Sequence, residues 1–110
     1  MVKQYDIIKI NLNPVQGNEK GEYRPCLVVS ESEFTQVSGF AWVIPITKRE
    51  YKRYPTDVIV ETEKNNIHGV VDCAHIRAVD LHARYYREFD TLSINKIHEV
   101  NDIIVGILNI

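Results

Sequence analysis

Apolar and polar residues alternate through Tyr5–Leu12 (YDIIKINL), with Ile8, Ile10 and Leu12 on one face and Lys9 and Asn11 on the other. A two-residue period puts alternate side chains on opposite faces of an extended chain, so this stretch predicts a half-buried strand. The following NPVQGNEKGEY mixes Pro14, Gly17 and Gly21 with polar residues and predicts a loop. Arg24–Ser30 (RPCLVVS) is rich in strand formers, and Pro25 stands near its start, where a missing N–H is tolerated. Phe40–Ile46 (FAWVIPI) predicts a third strand. Lys48–Pro55 is a charged connection to a fourth, Thr56–Glu61. Residues 62–68 form a polar turn, and Gly69–Leu81 supplies one or two further short strands.

The period changes near the C-terminus. From Ser93 onward the apolar positions are Ile94, Ile97, Val100, Ile103, Ile104, Ile107 and Leu108, which share one face of a helix of about 15 residues. Ser93 stands at the N-cap position, and Leu92 before it can pack on Ile97 as a hydrophobic staple. Isoleucine is a mediocre helix former, so the spacing rather than the propensity carries this expectation. About five or six short strands closed by one helix predict a mainly β, α+β domain: a small antiparallel barrel or half-barrel with a capping helix.

A chain of 110 residues accommodates one such domain, expected to span 1–110. Hydrophobic residues at 45% and charged residues at 25% make an ordinary globular balance that argues against a disordered tail. Thirteen Lys and Arg against 15 Asp and Glu give a net charge of −2, so any nucleic-acid role rests on a local patch and not on bulk charge. The N-terminus lacks the unbroken apolar run of a signal peptide, and no segment reaches the ~20 apolar residues that span a bilayer. Two cysteines, Cys26 and Cys73, are too few for a disulfide scaffold. These features predict a cytoplasmic protein with two reduced, buried thiols and no membrane association.

Three places hold polar residues that strand patterning does not require. Arg24 stands at the mouth of an apolar strand, where its planar fork could hold a phosphate through two charge-assisted hydrogen bonds. A surface ion pair with Glu19 or Glu22 is the other reading. Thr47 ends the third strand, a position that also suits an ordinary turn residue. Cys73 and His75 share a face if extended, and with Cys26 or His68 they could gather a metal. The paired ligand spacing of a structural zinc site is absent, so no metal or cofactor is expected. Basic residues cluster with aromatics in two stretches. Lys48, Arg49, Lys52 and Arg53 lie beside Tyr51 and Tyr54, and Arg77, Arg84 and Arg87 lie beside Tyr85 and Tyr86. Aromatic faces beside cations are how single-stranded nucleic acid is held, although solvated loops share this composition.

Taken in order, D-I-I-x-I-x-L, N-P-V-Q-G-N-E-K-G, R-P-C-L-V-V-S, V-I-P-I-T, R-Y-P-T-D-V-I-V and H-I-R-A-V-D run almost the length of the chain. With the C-terminal amphipathic helix, this sequence resembles the MazF/PemK family of toxin endoribonucleases from bacterial toxin–antitoxin modules. The resemblance implies an SH3-like antiparallel barrel with a terminal helix, forming a homodimer whose groove takes single-stranded RNA, including mRNA. It implies metal-independent, sequence-specific cleavage and neutralisation by a cognate antitoxin. The family's catalytic Arg and Thr match Arg24 and Thr47, and its RNA-lining first loop matches Gly17-Asn18-Glu19. With Asn18 and Glu19, the basic residues Lys48, Arg49, Arg53 and Arg77 are expected at RNA.

The family's acidic-Gln-[Ile/Val]-Arg element reads Ala74-His75-Ile76-Arg77 here, so an acidic residue and an amide are replaced. His75 could act as an acid or base, or stack on a flipped-out base. Stacking is the expectation adopted, since the amide it replaces cannot carry protons. Two alternatives stay open at this stage: a gyrase-binding toxin of the CcdB type, with the same barrel and no RNA cleavage, and a toxin that binds RNA or antitoxin without cutting.

Overall fold

The computed structural model describes residues 1–13 and 23–110. Seven strands and two helices follow in the order β1 (Asp6–Asn11), β2 (Tyr23–Val28), α1 (Ser32–Ser38), β3 (Phe40–Thr47), β4 (Asp57–Ile59), β5 (Val70–Asp72), β6 (Arg77–Asp80), β7 (Tyr86–Thr91) and α2 (Ile94–Leu108). A 3₁₀ turn, Cys73–His75, joins β5 to β6. All pairings are antiparallel. The sheet runs β4-β5-β3-β2-β1-β7, with β6 added on β3.

β3 organises the sheet because it carries two partners along one side: β6 against Phe40–Val43 and β5 against Ile46–Thr47. The gap between them falls at Ile44–Pro45. Trp42 turns its C=O toward β2, where it accepts from Val29 N–H at 2.9 Å. A two-residue period therefore turns Pro45 to the opposite side, where its missing N–H leaves no rung to make.

The sheet stays open, and its two ends meet at one rung. Beyond β4 and β7, Thr62 bridges Leu92, with Glu63 N–H donating to Thr91 O at 2.9 Å and Ser93 N–H donating to Glu61 O at 2.8 Å. The predicted barrel is thus a curled sheet closed at one bridge.

Both faces of the sheet are covered, which places core residues on successive positions of β1. Ile7 belongs to a cluster with Leu27, Ile44, Val58 and Leu92, against which α2 packs Val100, Ile97, Ile103 and Ile104. Ile8, Ile10 and Leu12 belong to a second cluster with Cys26, Val28 and Val43. An irregularity in the β1–β7 register at Ile7/Ile8 accompanies this change of face. The C-terminal helix occupies the predicted span, and the Ser93 backbone, not a hydroxyl cap, ties its start to Glu61.

Two elements go beyond the pattern-based expectation. α1 is capped by the Glu31 carboxylate, which accepts from the N–H groups of Glu33 and Phe34, and ends at Gly39 with φ of 79°. β7 pairs with β1 along Tyr86–Thr91, where the sequence showed only a basic and aromatic stretch.

Candidate active site

The ladders bring Arg24 and Thr47 to one end of the sheet. Cys26 pairs with Pro45 at the last rung between β2 and β3, and β3 ends at Thr47. Carried two residues further, this antiparallel register sets Arg24 across from Thr47. On its other side Arg24 pairs with Ile10 of β1. Arg24 shares a face with Cys26, whose thiol burial pushes up to about 12 against the opposing pull of the Arg24 and Arg77 charges. Burial, reinforced by the Asp72 and Asp57 carboxylates, also raises the Cys73 thiol to about 12. The two free cysteines sit in different core clusters. Among the described residues no three His, Cys, Asp or Glu side chains gather as a metal site.

A cleft of about 500 Å³ opens at this end. Pro25 and Ile46 give it apolar lining, Lys9, Arg24 and Lys48 give it positive charge, and Asn66, Ile67, His68 and Phe89 complete it. A neighbouring cleft of about 580 Å³ is lined by Lys48, Arg49, Glu50, Tyr51 and His68, so Lys48 and His68 border both. Thr47 lies between two lining residues but is not one itself. Its Oγ1 is buried with no hydrogen-bond partner among the described residues. Rotation about Cα–Cβ between staggered wells exchanges that hydroxyl with the γ-methyl.

Two devices hold the Asn66–His68 side of the cleft in position. Gly69 adopts φ of 145°, and a Cβ there would stand 2.4 Å from the Thr47 carbonyl oxygen, so only glycine lets the chain lie this close to the end of β3. From β7, the Asp90 carboxylate accepts from Lys64 N–H at 3.0 Å and Asn66 N–H at 3.1 Å. Burial opposes its ionisation, but the neighbouring Thr62 hydroxyl and the N–H groups of Lys64, Thr91 and Asn66 together outweigh burial and hold its pKa below the ordinary value.

The basic candidates divide by environment. Lys48 and Arg53 are exposed. Arg49 turns inward: its Nη2 donates to Asp57 Oδ2 at 2.9 Å and lies 3.9 Å from Asp72 Oδ2. The same Asp57 oxygen accepts the N–H groups of Arg53 and Tyr54, which folds the charged connection over one fully buried carboxylate. His75 belongs to this network, with Nε2 3.8 Å from Asp72 Oδ2, and lines neither cleft. Arg77 Nη1 donates to Leu12 O at 3.1 Å. Asn18 and Glu19 lie outside the described residues. The sequence places Lys9 only on the polar face of β1 and raises His68 only as a possible metal ligand, so neither is expected at this cleft. The one available signal for His68 was the glycine after it, opening an apolar strand.

Residues 3–108 match the family model for PemK-like, MazF-like toxins of type II toxin–antitoxin systems. The chain is 39% identical over 82 residues to the endoribonuclease toxin ChpB of Escherichia coli, covering 72% of this chain and 70% of that protein. It is 32% identical over 107 residues to the endoribonuclease MazF of Staphylococcus saprophyticus, covering 94% and 88%. Among solved structures, MazF of Deinococcus radiodurans superimposes with a TM-score of 0.89 at 27% identity, covering 99% of this chain and 97% of that one. With a match across nearly its whole length, the curled sheet and capping helix of these relatives, and an Arg and a Thr brought to one strand end, the chain belongs to the PemK/MazF family of type II toxin–antitoxin toxins.

Proposed function

We propose that this protein is a metal-independent endoribonuclease that cuts single-stranded RNA, including mRNA, within a short sequence motif, and that a cognate antitoxin neutralises it. The observation that carries this is the juxtaposition of Arg24 and Thr47 at one sheet end, beside a cleft charged by Lys9, Arg24 and Lys48. The relatives' names supply the reaction class, and the family description supplies the antitoxin.

Cleavage proceeds by attack of the 2′-OH on the adjacent phosphorus, with negative charge building on the non-bridging oxygens. Arg24 stabilises that charge through paired N–H donors, a contribution of ~3–4 kcal/mol for one well-placed donor. Thr47 orients the 2′-OH or a phosphate oxygen by hydrogen bonding once its hydroxyl has turned outward. Lys48 and Arg53 contact neighbouring phosphates. Arg77, held by Leu12 O, adds fixed positive field, and Arg49, its charge offset by Asp57, reaches RNA through the donors that the ion pair leaves over. Asn18 and Glu19 contribute from the first loop. His75, beside Asp72, stacks on a base.

The protein works as a homodimer in the cytoplasm, where mRNA is found. Exposed Phe34, Val37, Phe40 and Trp42 supply apolar surface for a partner to cover. The direct test incubates purified protein with a long single-stranded RNA in EDTA and maps product 5′ ends. Cuts at one recurring motif are expected, and Arg24→Ala should lower the rate by about 10²–10³-fold. Intact RNA at high protein concentration would overturn the proposal.

A further inference from the structure

We propose that His68 is the general acid of this ribonuclease, giving its proton to the 5′-oxygen that leaves the scissile phosphorus. The assignment rests on the ribonuclease activity proposed above. Arg24 and Thr47 leave the reaction without a proton donor, because a guanidinium keeps its proton throughout the usable pH range and a hydroxyl does not ionise there. Imidazole is the side chain that ordinarily changes charge between pH 5 and 8. Among the described residues His68 is the imidazole that lines the cleft, and it borders the adjoining cleft as well.

Its position is fixed by the backbone. Gly69, packed against the Thr47 carbonyl, holds the preceding residue, His68, close to the end of β3. Val60 N–H donates to Gly69 O at 2.9 Å and holds the same point from the other side. The ring itself stays exposed to the cleft. The ionisable groups facing this space are Lys9 from β1, Arg24 from β2, and Lys48, Arg49, Glu50 and Tyr51 from the end of β3 and the connection after it. Cations outnumber the single carboxylate, which draws an anionic phosphodiester to the side of the cleft where the ring stands.

The step balances within the substrate. The 2′-oxygen forms a bond to phosphorus as its proton passes to hydroxide, the bond from phosphorus to the 5′-oxygen breaks, and that oxygen takes the proton from the His68 ring. The products are a 2′,3′-cyclic phosphate and a 5′-hydroxyl, and water reprotonates the imidazole.

The test uses a chimeric oligonucleotide carrying a single ribonucleotide at the mapped cleavage site, in two forms: the natural linkage, and a linkage with sulfur replacing the 5′-oxygen. A thiolate leaves without a proton, so it bypasses a general acid. On the natural linkage, His68→Gln should lose about 10²–10⁴-fold in kcat, while on the sulfur linkage it should stay within a few-fold of wild type. The wild-type rate on oxygen should rise with pH and level off as the imidazole deprotonates, and the variant's should rise without levelling. His98→Gln, an exposed change on α2, controls for loss of an imidazole elsewhere, and circular dichroism checks folding. Equal losses on both linkages, or wild-type activity on oxygen, would overturn the role of His68. Failure of the wild type to cut either linkage would instead overturn the ribonuclease proposal.

Discussion

Thr47 carries a hydroxyl that burial has stripped of water and that no described group replaces with a hydrogen bond. Leaving such a group unpaired costs about 1–3 kcal/mol, which makes it a poor choice on grounds of stability alone. Valine has the same shape without the oxygen. Thr47→Val should therefore keep or raise the melting temperature while lowering RNA cleavage at least tenfold, as loss of one transition-state hydrogen bond requires. Thermal unfolding and cleavage rates on the same preparation check both halves. A variant that loses stability along with activity would mean that the hydroxyl serves the fold. Asp57 is a mixed case: it is fully buried, its Oδ2 accepts from Arg49 and two backbone N–H groups, and its Oδ1 has no hydrogen-bond partner among the described residues.

At the scale of elements, Asp90 ties β7 to the chain that borders the cleft. Its pKa in the folded protein lies below the ordinary 3.8, so its stabilising effect is complete at neutral pH and fades as pH falls through the folded value. Asp90→Asn should cost about 1–2 kcal/mol at pH 7, and the difference from wild type should close at acid pH, below about 4. Urea unfolding at both pH values measures this, and a gap that persists in acid would assign the effect to something other than the charge.

The elements legible in the sequence were those with a period. β1, β2 and β3 alternate or run apolar, and α2 repeats at helical spacing. α1 showed no such stripe because Thr35 is its single buried residue while Phe34 and Val37 face outward; its signals were the Glu31 cap and Gly39. β7 was hidden because its half-buried Phe89 is covered by the Lys9 and Arg87 side chains, at 4.4 Å and 5.8 Å from the ring, rather than by apolar neighbours. At the site, Arg24 and Thr47 stand out as polar residues at strand ends, and their catalytic roles came from motif resemblance. Lys9 and His68 reach the same cleft through strand pairing and one close glycine contact, neither of which a linear pattern displays.

For the molecule as a whole, a net charge of −2 coexists with a cleft lined by three cations. Binding of single-stranded RNA should weaken as salt rises, with a log–log slope of about −2 if Lys9, Arg24 and Lys48 each neutralise one phosphate. Titrations from low to high salt with an uncleavable 2′-deoxy substrate check this, and a flat response would show that the cleft is not where the backbone binds. The rung joining Thr62 and Leu92 has a mechanical consequence for that entry. Phe89 and the Asn66–His68 segment lie on opposite sides of it, and parting them there gives up its two backbone hydrogen bonds and also the two that Asp90 accepts from Lys64 and Asn66 N–H. The seam is thus held by a charged side-chain clamp as well as by backbone, and the continuous ladder from β1 to β3 supports the reacting end, so both walls of the entrance are anchored although the ring is joined by a single rung.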